Sequence, residues 1–249
     1  MSIKLLQAIG TTAAVLLTTT VTSAGPYLSQ STLQLSLEFP PAPEREGAQS
    51  SAGGGTRSGD GDTGVSVGRS ARAVCSQGET PLTVLMPKEP EIQKTISVRP
   101  QWFLYVPQTS ATTAEFLLLD DNGDDVHIDT LELSETPGIV QISLPEDVAL
   151  EVGKIYIWQV IMNCGEENPS AYEAIQGEIE RIALSDDLKT QIEATNDPLK
   201  QAELYAQQRI WPDTLMLMMP LRESNPTEWE QLLQSVELEA IASVPVIEN

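Results

Sequence analysis

Histidine is nearly absent from this sequence, in which His127 is the single imidazole among 249 residues. One imidazole does not define a histidine-based catalytic triad or a metal cluster with any specificity. Val126 and Ile128 flank it with apolar side chains that we expect to face inward, because successive residues of a strand point to opposite faces. His127 is therefore predicted to lie on the outer face of its strand or in solvent.

Positive charge is also scarce. The chain has 14 lysine and arginine residues against 36 aspartate and glutamate residues, which gives a formal net charge of −22. Such a surface repels polyphosphates and offers no basic stripe that could displace counterions. Nucleic-acid binding is thereby excluded, and adsorption to anionic lipid is disfavoured. The acidity leaves two interpretations, which are ordinary solubility and a cationic or metal-bridged partner.

Long apolar runs are missing after residue 24, so no later segment approaches the ~20 apolar residues that a membrane-spanning helix requires. The first 24 residues differ, because Lys4 precedes a mildly apolar run that ends in Thr22-Ser23-Ala24. This is the pattern of a secretory signal peptide. The sequence predicts a cleaved signal peptide at residues 1–24 and export to the periplasm or cell envelope. A retained signal would instead anchor the protein at the membrane.

Cysteine occurs twice, as Cys75 and Cys164. In an exported protein two thiols permit one bridge, and no other connectivity competes with it. We therefore predict a disulfide between them, which would close a loop of about 90 residues. Two separate thiols are the alternative.

Composition divides the remainder of the chain into three parts. Residues 25–74 are rich in Ser, Gly and Pro and offer little apolar surface, which predicts a disordered tether. Residues 75–183 alternate short apolar runs with turn residues, which predicts a small all-β domain. Residues 184–249 follow a helical period, which predicts a helical region.

We expect strands at residues 82–86, 94–98, 102–106, 114–120, 126–133, 139–144, 155–163 and 175–182. We expect helices at residues 186–194, 198–208, 212–219, 227–236 and 238–243.

An immunoglobulin-like or fibronectin-like antiparallel β-sandwich is the fold class that residues 75–183 indicate. The strands that contain Trp102 and Trp158 are apolar at nearly every position, so both are predicted to be central and buried. Tyr156 occupies the place of a tyrosine that hydrogen-bonds back across the corner leading into the penultimate strand of such sandwiches. An ordinary core tyrosine is the alternative.

The helical region is predicted to form a small C-terminal cap. Asp197 and Asn225 each place a capping side chain before a proline at the first helical position. Tyr205, Trp211 and Pro226 fall where a tetratricopeptide repeat carries its bulky and terminal proline positions, which indicates a tetratricopeptide-like helix hairpin. One repeat cannot bury its own apolar face. We therefore expect the helices to dock on the β-domain or on another protein.

The acidic turn at residues 120–125 is the one metal candidate. Asp120, Asn122 and Asp124 would supply oxygen ligands of the kind that calcium prefers. An EF-hand loop that starts at Asp120 fails, because its required glycine is Asp125 and its twelfth residue is Leu131. The Asn122-Gly123 dipeptide instead favours a plain β-hairpin turn. No glycine-rich loop lies between a strand and a helix, so no cofactor is predicted.

The order of several short motifs resembles the cyanobacterial family known as domain of unknown function 928. They span residues 72 to 241 and are, in chain order, Arg72-Ala73-Val74-Cys75, Leu82-Thr83-Val84-Leu85-Met86-Pro87, Pro100-Gln101-Trp102-Phe103-Leu104-Tyr105-Val106-Pro107, Ala114-Glu115-Phe116, Thr136-Pro137-Gly138-Ile139, Gly153-Lys154-Ile155-Tyr156-Ile157-Trp158, Cys164, Ile179-Glu180-Arg181 and the helix turn from Tyr205-Ala206 to Leu215. Where that family commonly has a glycine before the helix-turn aromatic residue, this chain has Arg209-Ile210-Trp211. The resemblance implies an exported protein without an assigned function and supplies no catalytic residues.

Two functions remain open at the level of the sequence. The first is a binding or scaffold module that engages a protein or glycan partner at the cell envelope, which the tether, the sandwich, the helices and the missing catalytic set favour. The second is a carboxylate-dependent envelope hydrolase. An enzyme should have a deep pocket with convergent acids, whereas a binding module should have an apolar patch or groove.

Overall fold

The computed structural model describes residues 37–41, 65–69, 75–88, 92–133, 136–164 and 172–247, with the backbone alone at 65–69. All of them belong to one compact unit, Ser36–Asn249. The predicted signal peptide at 1–24 and most of the predicted tether lie outside the described residues. No helix among the described residues is long and apolar enough to cross a membrane.

The described residues form strands first and helices afterwards, so the prediction of a mostly β chain with C-terminal helices is confirmed. The strands are β1 (Val65–Arg69), β2 (Ser76–Gln77), β3 (Thr83–Val84), β4 (Gln93–Thr95), β5 (Gln101–Val106), β6 (Gln108–Thr109), β7 (Thr113–Leu119), β8 (Asp125–Glu132), β9 (Gly138–Ser143), β10 (Ile155–Asn163), β11 (Tyr172–Arg181) and β12 (Val246–Ile247). The helices are α1 (Asp186–Glu193), α2 (Pro198–Gln207), α3 (Trp211–Leu221), α4 (Pro226–Gln234) and a 3₁₀ turn at Glu239–Ile241.

The larger sheet has the strand order β1-β11-β10-β7-β8, and β4 pairs in parallel with β11. Strand β10 lies at its centre and alternates buried with half-buried residues, because one face of the strand packs on the core. Tyr156, Trp158, Val160 and Met162 are the buried residues of that alternation.

The second sheet has the order β12-β9-β5-β3, and β2 pairs with β6 in a small separate sheet. Trp102 of β5 contacts Phe116 of β7 with ring centroids 5.0 Å apart, so the inner faces of the two larger sheets share one core. The terminal strand β12 was not predicted. It pairs in parallel with Ile139 and Val140 of β9, and a Cβ atom on the adjacent Gly138 would lie only 2.6 Å from Ile247 Cγ2, so this close approach favours glycine.

Strand β8 differs from the expected orientation. The register slips between Leu118 and Leu119, which places His127 opposite buried Leu118 and leaves Ile128 more than half exposed. The prediction that Ile128 faces inward is therefore wrong, and His127 is half-buried. A β-bulge shifts which residues face the core, and a strand's alternation alone does not reveal it.

The helices dock on the β part, as the burial requirement of a single helix hairpin predicts. Asp197 caps α2 by accepting a hydrogen bond from Leu199 N at 3.1 Å, whereas Asn225 precedes α4 without a side-chain capping bond. The expected cap at Asn225 is therefore absent. Pro220 lies inside α3, which ends one residue later at Leu221.

Two stretches inside the predicted tether have places in the fold. Residues 37–41 pack on the helices, with Leu37 and Phe39 buried, and β1 pairs with β11 along its whole length. The range 25–74 predicted as a disordered tether is corrected at these two stretches. Local composition does not reveal them, because their partners lie more than 100 residues away in the chain.

Candidate functional site

A short extended segment, residues 37–41, lies on the helical region and has the sequence Leu-Glu-Phe-Pro-Pro. We call it the docked segment. Leu37 and Phe39 alternate with exposed Glu38 and are only 1% and 5% exposed, because alternate side chains of an extended chain point to the same side. The docked segment thus buries two large apolar side chains without belonging to a sheet.

Arg209, the second residue after α2, holds this segment by its side chain. The Arg209 guanidinium donates a hydrogen bond to the Pro40 carbonyl oxygen and lies 5.2 Å from the centroid of the Phe39 ring. A cation at this distance is attracted to the negative face of an aromatic ring. One side chain therefore contacts both the backbone and the aromatic ring of the docked segment.

Arg209 adopts an unusual backbone conformation in order to lie there. Its φ is 59°, and hydrogen bonds from Arg209 N to Ala206 O and from Ile210 N to Tyr205 O complete a Schellman motif at the end of α2. Glycine is the usual residue at this position, because other L-residues lose about 1–2 kcal/mol in the left-handed region. Backbone strain of this kind is concentrated at binding and switch sites.

Trp211 and Ser235 complete the contacts to Phe39. The Trp211 ring meets the Phe39 ring edge-on with centroids 5.0 Å apart. The Ser235 hydroxyl oxygen, just after α4, accepts a hydrogen bond from Phe39 N at 2.9 Å. Residues next to three helices, α2, α3 and α4, therefore converge on one aromatic residue of the docked segment.

Open space continues on both sides of the docked segment. The larger cavity, of about 610 Å³, is lined by Glu38, Phe39, Pro40, Pro41, Gln207, Gln231, Gln234 and Ser235. The smaller, of about 310 Å³, is lined by Phe39, Pro40, Pro87, Lys88, Ser235, Val236 and Glu237. We call the surface formed by Gln207, Arg209, Trp211, Gln231, Gln234 and Ser235 the helical groove.

One polar atom of the groove is unsatisfied. The Gln231 side-chain oxygen is buried and has no hydrogen-bond partner among the described residues. A buried acceptor without a donor costs about 1–3 kcal/mol, so it favours any ligand that brings an N–H or O–H group. The groove can therefore offer a further hydrogen bond beyond those made to the docked segment.

Asp213 is the most strongly perturbed acid outside the groove. It lies in the first turn of α3, is 2% exposed, and its Oδ2 accepts hydrogen bonds from Thr95 Oγ1 at 2.7 Å and Ile96 N at 3.2 Å. Burial raises the pKa of Asp213 to about 6, although both hydrogen bonds oppose that rise. Since Thr95 and Ile96 belong to the β part, this carboxyl group connects α3 to the sheets.

The predicted disulfide is present. Cys75 and Cys164 are bonded with their Cα atoms 5.0 Å apart, and buried Glu173 lies beside them. Glu173 accepts hydrogen bonds from the backbone N and the hydroxyl group of Ser76. Among the described residues, this is the only group of three His, Cys, Asp or Glu side chains whose ligand atoms lie within 4.8 Å of one another. Because both sulfur atoms are in the disulfide, no thiolate is free to bind a metal.

The acidic turn joins β7 to β8. Asp120 Oδ1 accepts hydrogen bonds from Asn122 N and Asp124 N, both at 2.9 Å, and Gly123 adopts a φ of 85°. The hydrogen bond from the Asp124 backbone is the main cause that lowers the pKa of Asp120. These contacts use the Asp120 carboxylate within the turn, and calcium binding at Asp120, Asn122 and Asp124 stays the untested alternative to the plain hairpin turn that the sequence favours.

The other residues singled out by the sequence lie in the sheets. Trp102 and Trp158 are buried on β5 and β10, and the Tyr156 hydroxyl oxygen accepts a hydrogen bond from Glu151 N at 3.0 Å. None of the three lines either cavity. The sequence marked Arg209 only as a departure from the glycine of the family that the chain resembles, and it did not single out Phe39 or Ser235 as site residues. A second available signal was an aromatic residue directly before two prolines, in a stretch otherwise poor in apolar residues.

The fold and site together define a β-sheet domain with a helical layer that holds an extended segment. The chain belongs to the family described as Domain of Unknown Function (DUF928), whose model matches residues 52–246. No curated protein matches the chain. The docked segment precedes the matched range, whereas the residues that form the helical groove lie inside it.

Proposed function

We propose that this protein is an exported binding module of the cell envelope and that it holds a protein partner in the helical groove. The observation that carries the proposal is the docked segment itself. A stretch of extended chain is already bound there through Arg209, Trp211 and Ser235, and about 610 Å³ of space continues beside it. A surface that binds one extended chain in this way is suited to bind another.

Export is supported by the signal-peptide pattern at residues 1–24 and by the disulfide. Disulfides persist in oxidising compartments and are rare in the cytosol. The bridge between Cys75 and Cys164 therefore agrees with a periplasmic or envelope location. The same family resemblance supports a cyanobacterial origin.

We also propose that the sheets form an immunoglobulin-like sandwich. Strands β3, β5 and β9 pair in the order expected for strands A, B and E, and β11, β10, β7 and β8 in the order for G, F, C and C′. The hydrogen bond between Tyr156 and Glu151 supports this assignment, because a tyrosine corner belongs to strand F. Such sandwiches commonly serve as recognition domains, which is an argument by analogy.

The hydrolase alternative has less support. Glycoside hydrolysis by carboxylates needs two acidic groups within about 5–10 Å across a substrate site. The larger cavity is lined by one carboxylate, Glu38, and the smaller by another, Glu237. Neither cavity brings two acids together, so the binding module is the function that we favour.

Site-specific photo-cross-linking tests the proposal. A photoreactive amino acid replaces Gln234, which is exposed in the groove, and in a matched strain replaces Gln176, which is exposed on β11. We expect a cross-linked protein of higher mass from position 234 and none from position 176. Equal adducts from both positions, or none from position 234, would refute a protein-binding groove.

The mass of the purified chain tests export, since a mature protein should begin at Gly25.

A further inference from the structure

We infer that the helical groove recognises an extended peptide in which an aromatic residue precedes two prolines, and that the docked segment is a competing ligand supplied by the same chain. The inference rests on the proposed function and names the class of partner. It also assigns a regulatory role to residues 37–41, which keep the groove occupied until a stronger ligand displaces them.

The contacts to the docked segment can be made with any peptide of this kind. Two of them involve its backbone, since Ser235 Oγ accepts from the N–H of Phe39 and Arg209 donates to the carbonyl oxygen of Pro40. The third is to an aromatic ring, which both Arg209 and Trp211 contact. Backbone contacts give affinity and the ring contact gives specificity, as in other modes of extended-peptide recognition.

The two prolines suit the groove for a physical reason. Proline has no backbone N–H and a fixed φ, so Pro40 and Pro41 bring no donor that needs a partner and have little conformational freedom to lose. Pro40 is half-buried and Pro41 is exposed, and both line the larger cavity. A proline-rich ligand therefore enters this surface at a low cost in ordering entropy.

The groove is larger than the docked segment requires. Its larger cavity is lined by three glutamine side chains, and one of them, Gln231, has a buried oxygen with no hydrogen-bond partner among the described residues. Carboxamides both donate and accept hydrogen bonds, which suits a peptide backbone. A partner peptide can bring to this cavity an N–H group for Gln231, which neither Pro40 nor Pro41 has.

Competition within the chain predicts how binding will appear in solution. A ligand tethered to its own site acts at an effective concentration on the order of millimolar. A free peptide must exceed that concentration to compete. The wild-type protein should therefore bind the free peptide weakly, whereas weakening the docked segment should reveal the affinity of the groove.

Fluorescence anisotropy with a labelled peptide of residues 36–43, Ser-Leu-Glu-Phe-Pro-Pro-Ala-Pro, tests the inference on the full chain. Phe39→Ala removes the aromatic ring of the internal ligand and should tighten peptide binding at least tenfold relative to wild type. The double variant Phe39→Ala/Arg209→Gly should lose that gain. Glycine accepts the φ of 59°, so Arg209→Gly removes the guanidinium without disturbing the turn. The peptide with Phe replaced by Ala is the matched control and should bind none of the three proteins.

Equal affinity of wild type and Phe39→Ala, or of Phe39→Ala and the double variant, would overturn the inference. If Phe39→Ala is too unstable for anisotropy, the peptide should raise its Tm, and no rise would count equally against the inference.

A concentration-dependent wild-type dimer that Phe39→Ala abolishes would make a second copy the occupant instead. If position 234 cross-links a protein that the peptide does not displace, the groove binds another ligand and only this inference fails. If position 234 gives no cross-link at all, the proposed function itself is refuted.

Discussion

The tryptophans of the β part and of the helical region are used differently. In the sheets, Trp102 and Trp158 are buried and their indole N–H groups have no hydrogen-bond partner among the described residues. In the helical region, Trp211 donates to Leu85 O at 2.6 Å and Trp229 donates to Ala242 O at 2.8 Å. The rings of the sheets fill volume, whereas those of the helices also fix one segment of chain to another.

This difference follows from how each kind of structure satisfies its backbone. Sheet residues hydrogen-bond to neighbouring strands, so the core needs only apolar volume between the sheets. Helices satisfy their backbone internally and leave their position on a neighbour to side chains. Trp211, Asp213 and Arg209 supply those connections here. We expect substitutions in the sheets to change the free energy of unfolding through chain entropy and packing. Substitutions in the helical region should change it through the loss of individual polar contacts.

The largest effect should come from the disulfide of the β part. Replacing Cys75 and Cys164 together by Ala removes a cross-link between residues separated by 89 positions. The chain-entropy model predicts a loss of about 4–5 kcal/mol for a loop of this length. Urea unfolding followed by tryptophan fluorescence measures it, with the reduced wild-type protein as the control. A loss below about 1 kcal/mol would show that the bridge does not constrain the unfolded chain as that model requires.

The next effect belongs to the helical region and depends on pH. Burial raises the pKa of Asp213 from 3.8 to about 6, so the folded protein holds this proton more tightly than the unfolded chain. The contribution of Asp213 to stability is therefore greatest below pH 3.8, falls as the pH rises towards about 6, and stays low above that value. Asp213→Asn cannot ionise and keeps an oxygen that accepts from Thr95 and Ile96.

The free energy of unfolding of Asp213→Asn, measured relative to wild type, should therefore increase between pH 4 and pH 6 by about 2 kcal/mol. Comparing the two proteins removes the contribution of the other carboxylates. Thr95→Val offers a second comparison. Valine has no hydroxyl group, so this variant loses the Thr95 hydrogen bond that lowers the pKa of Asp213. The pH range over which stability changes should therefore move to higher pH. A difference between Asp213→Asn and wild type that does not change with pH would show that Asp213 is not perturbed by burial.

Much of the β part could be predicted from the sequence, because its signals are local. Strand β10 was predicted with its observed bounds, and the Cys75–Cys164 bridge followed from there being only two cysteines and an export signal. The two-residue strands β2 and β6 were missed, and so were β1 and β12, which are held by partners distant in the chain rather than by their own alternation. Composition alone assigns such segments to loops.

The candidate site could not be predicted for a related reason. Phe39 lies far from Arg209 in the chain, and its burial depends on a turn that an arginine closes in the left-handed conformation. Propensity favours glycine in that conformation, so the arginine itself gives no local signal of the turn, and only the glycine of the resembling family marked the position. The residues of this candidate site are those at which local preference and tertiary contact disagree.

A matched pair of substitutions tests the difference between the tryptophans directly. Trp102→Phe and Trp211→Phe remove a similar volume from two fully buried positions. Only the second loses a hydrogen bond and leaves the Leu85 carbonyl oxygen without that donor. We therefore expect Trp211→Phe to be the more destabilising by about 1–3 kcal/mol in chemical denaturation. Equal losses would mean that tryptophan serves only as volume in both regions.

The smallest effect concerns the Tyr156 hydroxyl group, a side-chain hydrogen-bond partner within the β part. Tyr156 Oη accepts from Glu151 N at 3.0 Å, and Tyr156→Phe should cost about 0.5–1.5 kcal/mol, because Glu151 N is left without this partner. Tyr172, which is 39% exposed on β11, gives the control, and Tyr172→Phe should change stability by less than about 0.5 kcal/mol.

The alternative of an ordinary core tyrosine predicts the opposite sign, since its hydroxyl group would then only add a buried polar atom. A loss at Tyr156 without one at Tyr172 would therefore show that the sheets also use a side-chain hydrogen bond, to fix the corner that leads into β10. No loss at either position would mean that the hydrogen bond from Glu151 N to Tyr156 does not contribute measurably to stability.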